Sequence, residues 1–154
     1  MMKKLSVGAW ITCLAVLAAT VAIVLYTSNI GAEGYFKGAE VSNLMLFGIL
    51  AVAALIAAVI LEQVAPASKA ADVLSGLLQI AAPVLLALAA INLIAARVEG
   101  LGFIYFSNAD VAKEVQTPAN LSSASGAIAG MVAFGVAMLI AIVGAFCSLR
   151  RKDA

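Results

Sequence analysis

Four stretches of this sequence carry no Asp, Glu, Lys or Arg. They run from Leu5 to Ala32, Val41 to Leu61, Val73 to Ala96 and Val115 to Leu149, with lengths of 28, 21, 24 and 35 residues. A helix needs about 20 apolar residues to cross a hydrocarbon layer about 30 Å thick, because it rises about 1.5 Å per residue. Each stretch is long enough for one crossing. The runs are continuous and rich in Ala and Leu, without the alternation of a membrane barrel. The expected fold class is therefore all-α, an integral membrane four-helix bundle.

Composition agrees. Hydrophobic residues make up 65% of the 154-residue chain and charged residues 11%, with a mean hydropathy of +1.14. Soluble domains hold roughly 45–50% apolar and about 25% charged residues. A soluble enzyme, a nucleic-acid-binding module and a disordered tail are excluded, since none could hide so much apolar surface.

The first and last runs exceed one span and must include loop. The sequence predicts helices over about 5–27, 43–61, 73–96 and 125–149 in a single domain covering 1–154. Outer loops are expected over 28–42 and 97–124. Glu62 and Arg97 then fall at helix ends, where long side chains can reach the interface. The run Ser122-Ser123-Ala124-Ser125-Gly126 reads as the start of the fourth helix, with Ser or Asn as its cap.

Orientation follows from Lys and Arg near the helix ends. Lys3, Lys4, Lys69, Arg150, Arg151 and Lys152 fall on one side; Lys37, Arg97 and Lys113 fall on the other. Six against three predicts both termini in the cytoplasm, in a multi-pass protein of the plasma (cytoplasmic) membrane. The first apolar run is too long for a secretory core of about 7–15 residues, so an uncleaved first helix is expected.

One segment recurs. Tyr35-Phe36-Lys37-Gly38-Ala39-Glu40-Val41 returns 70 residues later as Tyr105-Phe106-Ser107-Asn108-Ala109-Asp110-Val111, with four identical positions and Glu for Asp at a fifth. Tyr and Phe are scarce here, so the match suggests a tandem duplication of a helix–loop–helix unit, about 1–62 and 73–149. Chance, with a shared interfacial role for aromatics, is the competing explanation. Two crossings per unit keep both copies in one orientation, which implies a pseudo-two-fold axis along the membrane normal. Tyr35, Phe36, Glu40, Tyr105, Phe106 and Asp110 become the candidate ligand-binding residues of the outer surface. Two roles fit the acids: paired ligands for a cation or cationic solute, or favourable charges at the start of the following helix.

The interior is nearly bare. Its polar candidates are Thr12, Thr20, Gln79 and Asn92, expected to hydrogen-bond across helices. Pro83 should kink the third helix, because it frees the Gln79 carbonyl. On the fourth helix Gly126 and Gly130 form a GxxxG, and Ala129, Ala133, Ala137, Ala141 and Ala145 recur every four residues. Gly126, Gly130, Ala133, Ala137 and Ala141 are the expected packing residues, within the bundle or against a second subunit.

Catalytic chemistry is scarce. The sequence has no histidine, the commonest general base and metal ligand. Cys13 and Cys147 lack CxxC spacing and read as apolar fillers. There is no phosphate-binding or dinucleotide loop. No cofactor or metal is expected, and no enzymatic activity. The partners implied are the lipid bilayer and either further copies of the chain or another membrane subunit. The function that fits best is an accessory or structural subunit; the alternative is a small homo-oligomeric transporter or channel with its path at the repeat interface.

Overall fold

The computed structural model describes residues 6–64, 69–147 and 149. These form five helices: α1 (Val7–Gly31), α2 (Leu44–Val64), α3 (Lys69–Phe106), α4 (Ala109–Val115) and α5 (Pro118–Ala145), with no strand among them. All but α4 are long and apolar enough to cross a membrane. The four long helices form a ring. α1 packs on α5 and α2, and α3 packs on α2 and α5, with α1–α5 and α2–α3 the most extensive contacts.

Small side chains set the seams. The buried positions of α1 are Gly8, Ala9, Thr12, Ala15, Ala19, Ala22, Tyr26 and Asn29; on α5 they are Ser123, Ala124, Ala127, Gly130, Phe134, Ala137, Ala141 and Gly144. From Ala9 and from Ala124 onward the steps are threes and fours, the spacing of helices that cross at a shallow angle. Backbones approach closely where the residue is Ala or Gly. The wider space on the axis takes Phe134, Leu44, Leu55, Leu86 and Leu93, all fully buried. Outside, Leu17, Val21, Ile49, Ile91 and Val132 are exposed, which for a membrane bundle is the lipid-facing surface.

The helix boundaries depart from the expected ones. α1 runs four residues past Thr27, and α2 three past Leu61. The larger difference is between the third and fourth long helices. Residues 97–124 are not a long loop: α3 continues through Arg97 to Phe106, α4 follows, and α5 already begins at Pro118. A charge interrupts an apolar run, but it does not end a helix. The true stops are caps. Asn108 accepts from the amides of Asp110 and Val111. Thr117 accepts from the Asn120 amide, with Pro118 at the first helical position. The cap of the last long helix is thus Thr117, not a residue of the 122–126 run.

Two other expectations change. Thr12 and Thr20 donate to Gly8 and Val16, and Gln79 donates to Ser75; each bond stays within its own helix rather than crossing to another. Pro83 lies buried inside a continuous α3, as expected, and leaves the Gln79 carbonyl without its helical amide. On α5, Gly130, Ala137 and Ala141 are buried, Gly126 and Ala133 are half-buried, and Ala129 is exposed. A fourfold repeat turns about 40° per step around a helix of 3.6 residues per turn, so it drifts off the seam.

Ser6 and Leu149 meet at one end of the bundle. Ser6 caps α1 by accepting from the Ala9 amide, and its hydroxyl donates to the Leu149 carbonyl at 2.7 Å. Leu149 packs with Ala9 and Ala58. Lys3, Lys4, Arg150, Arg151 and Lys152 lie outside the described residues.

Phe134 is the largest fully buried side chain among the described residues. Replacing it with Ala should cost about 3–5 kcal/mol, as for other buried aromatic truncations. Reversible unfolding in mixed micelles measures this, and a loss below about 1 kcal/mol would mean that the axis closes over the missing ring.

Candidate functional site at the strap

α1 ends at Gly31 and α2 begins at Leu44, and the twelve residues between them fold into a strap across that end of the bundle. The strap starts by closing α1. Gly38 donates its amide to the Ile30 carbonyl at 2.8 Å, with a backbone φ of +68°. Gly34 has φ of +138°, a region that L residues rarely adopt, and a Cβ there would sit 2.5 Å from the Ala119 carbonyl oxygen. Only glycine lets the strap lie this close to α5. Asn43 takes φ of +61° just before α2, as Asn does more readily than bulkier residues.

Side chains from three helices hold the strap. The Tyr26 hydroxyl of α1 accepts from the Val41 amide at 2.7 Å. Asn29 donates to the Ser123 carbonyl at 2.8 Å, packing against Gly126, where a Cβ would come within 2.5 Å of the Asn29 amide nitrogen. The Ser123 hydroxyl of α5 accepts from the Phe36 amide at 3.1 Å. From α3, Arg97 donates to the Ala39 carbonyl. Its guanidinium carbon lies 4.6 Å from the centroid of the Phe36 ring, a cation–π distance.

Arg97 is the unusual member. It is 3% exposed, and nine residues of α3 follow it. It does not reach out to the interface from a helix end, as its sequence position suggested; the strap folds over it instead. The ion pairs among the described residues are Lys37–Glu33 and Lys113–Asp110, so no carboxylate is paired with Arg97. Its Nε is buried without an acceptor. Its charge is met by one carbonyl dipole and one aromatic face.

Phe36 fills the space between α3 and α5. It is 3% exposed and packs with Ile104, Ala124 and Ala127, forming a second small core above the main one. Gly100 makes room for it, since a Cβ there would fall 2.7 Å from both the Phe36 and Tyr35 rings. Tyr35 stands edge-on to Phe36 with centroids 5.1 Å apart, and leans on Phe103 at 6.1 Å.

The residues singled out by the repeated motif thus part company. Phe36 is a buried plug and Tyr35 a half-covered rim residue. Tyr105 and Phe106 end α3, and Phe106 is 88% exposed. Glu40 is exposed on the strap. Asp110 is exposed in the first turn of α4, 3.7 Å from the Lys113 ammonium, where its charge favours the helix start. The first copy of the motif is turn and the second is helix end, cap and helix start. Glu40 and Asp110 belong to no group of three or more residues arranged to hold a metal among the described residues.

Sequence reasoning missed Tyr26, Asn29, Ser123, Gly34 and Gly100. A signal was present in Tyr26 and Asn29, about one helical turn apart near the end of a mostly apolar helix. No protein-family model, curated protein or solved structure matches this chain.

Gly34→Ala should release the strap at a cost of about 2–4 kcal/mol, combining backbone strain with a clash against backbone. Hydrogen exchange over residues 32–43 in nanodiscs should then rise steeply while α1 and α5 stay protected. Unchanged exchange would show that the strap adapts without losing its hold.

Proposed function

We propose that this chain is a non-enzymatic, multi-pass membrane subunit that works by assembling with further copies of itself or with a larger membrane complex. The observation that carries this reading is the strap across one end of the bundle. A path along the bundle axis would have to pass Phe36, the Arg97 latch and the fully buried Phe134, Leu55 and Leu86. An element stapled across one mouth by α1, α3 and α5 suits a rigid packing unit better than a pore. The absence of histidine from the sequence fits a non-catalytic role. The excess of Lys and Arg near the two termini favours a cytoplasmic location for both, in the plasma membrane.

The duplicated-unit reading belongs to the same proposal. A two-fold exchanging α1 with α3 and α2 with α5 would map the α1–α5 contact onto the α2–α3 contact, the two most extensive in the bundle. The different backbone of the two motif copies would then be a divergence of the loops.

A second reading keeps one specific support. Pro83 lies at the floor of an apolar groove between α3 and α5. In a homo-oligomer, such grooves from several copies could line a route for a small solute outside each bundle rather than through it.

Mild extraction from native membranes followed by native mass spectrometry separates the two. The subunit reading expects a stoichiometric association, and purified protein in liposomes should leave ion and small-solute flux at background. Flux well above background, abolished when a bulky residue replaces Val84 in the groove, would overturn it in favour of the second reading.

A further inference from the structure

α2 is the shortest of the four long helices. Its 21 residues rise about 31 Å, which matches a hydrocarbon thickness of about 30 Å and sets the level of the membrane. α3 does not stop at that level. Arg97 already bonds the Ala39 carbonyl, on the strap before α2 begins, and α3 runs on from there to Phe106. That extension rises about 13 Å, against roughly 5–8 Å for one headgroup layer. The end of α3 therefore projects past the lipid, where an exposed aromatic ring meets water.

One face of this projection is uncovered. Glu99, Gly102, Phe103 and Phe106 follow the i, i+3, i+4, i+7 spacing that brings residues to one side of a helix. Phe103 is 45% exposed and Phe106 88%. Tyr35 widens the face from the strap, its ring 6.1 Å from that of Phe103. A Cβ at Gly102 would meet nothing within 4 Å, so the glycine leaves a notch in the middle of the stripe. Exposed aromatic anchors around a notch are what protein interfaces concentrate. The charge at this end is one-sided. Glu33, Glu40, Glu99, Asp110 and Glu114 are exposed, against Lys37 and Lys113, and both lysines already pair with Glu33 and Asp110. Glu40, Glu99 and Glu114 have no ion pair among the described residues.

We propose that the Glu99–Phe106 face of α3 docks an extramembrane helix of a different membrane subunit, one that lays an apolar stripe over Phe103 and Phe106 and sets Lys or Arg against Glu99. This surface rests on the subunit role proposed above and narrows it to a partner of unlike sequence. A second copy of the chain is the poorer occupant. A two-fold dimer brings a patch against itself, so acids would meet acids across the contact. Lipid headgroups are the other competing occupant, and the height of Phe106 above the end of α2 places the ring beyond them.

The test replaces Phe106 of the full chain with the photo-crosslinker benzoylphenylalanine, irradiates native membranes and maps the adducts by peptide mass spectrometry. The expected product is a peptide of a different chain with Lys or Arg within about one helical turn of the cross-link. Glu99→Lys in the same background should cut that product by about tenfold. Adducts to lipid alone, to a second copy of the chain, or to a segment without basic residues overturn the proposal. So does a product that Glu99→Lys leaves unchanged. Native mass spectrometry of the double variant Glu99→Lys with Phe106→Ser separates this surface from the subunit role itself. Both side chains are exposed, so neither change reaches the core. An association seen with the unaltered chain and lost in the double variant supports the surface. One that survives in the variant overturns the surface and leaves the subunit role standing, and an unaltered chain that associates with nothing removes both.

Discussion

A backbone amide in hydrocarbon has no water to bond, and that constraint shapes every part of this molecule. It makes the four long segments helices. It also dictates what happens between α1 and α2, where the chain must reverse at the membrane boundary. Twelve residues of irregular backbone cannot simply lie there. Their polar groups are instead met from below and beside: Tyr26 takes the Val41 amide, Ser123 takes the Phe36 amide, and Arg97 takes the Ala39 carbonyl. The strap is therefore an extension of the bundle. Each support comes from a different long helix, so holding the strap also ties α1, α3 and α5 together at that end.

Arg97 illustrates how the parts depend on one another. A guanidinium on a lipid-facing helix surface would be costly, and at an open mouth it would be hydrated. Here it is covered by Phe36, which Gly100 admits and Ser123 positions. Phe36 in turn can be a plug only because Gly34 lets the strap approach Ala119. Two glycines and a serine, at 34, 100 and 123, thus set the conditions under which one arginine can be buried. In the membrane-embedded part the same economy of size operates through Ala seams, and Phe134 fits into a buried cluster that includes Ala15, Ala19, Ala22, Ala82, Ala89 and Ala90.

The spans were legible in the sequence because hydrocarbon thickness and the absence of charge are local, additive properties. The strap was not, because its logic is tertiary. Arg97 reads as a boundary when charge alone marks the edge of a run; only the position of Phe36 sixty-one residues away turns it into an interior residue. The repeated Tyr-Phe-x-x-Ala-acid-Val segment drew attention to the correct region and assigned it a surface role, since aromatics near an acid suit the headgroup layer. Helix α3 carries the second copy past the end of the span, where Phe106 finds no cavity, while the first copy meets the gap between α3 and α5. Similar residues thus take different environments because the chain arrives at them from a turn in one case and a continuous helix in the other.

The same asymmetry bears on how the molecule meets its surroundings. At the strap end, the residues that could grip a partner are largely committed to one another: Tyr26, Asn29, Ser123 and Arg97 spend their donors and acceptors within the chain. At the other end, an apolar groove between α3 and α5 stays uncovered, lined by Pro83, Val84, Met138 and Ile142 among others. The strap end is held closed by bonds within the chain, and the groove leaves apolar surface open to a neighbour. Recognition should therefore concentrate on surface that these bonds leave free, the projecting end of α3 and the groove, with the strap keeping the four helices in the register that shapes both.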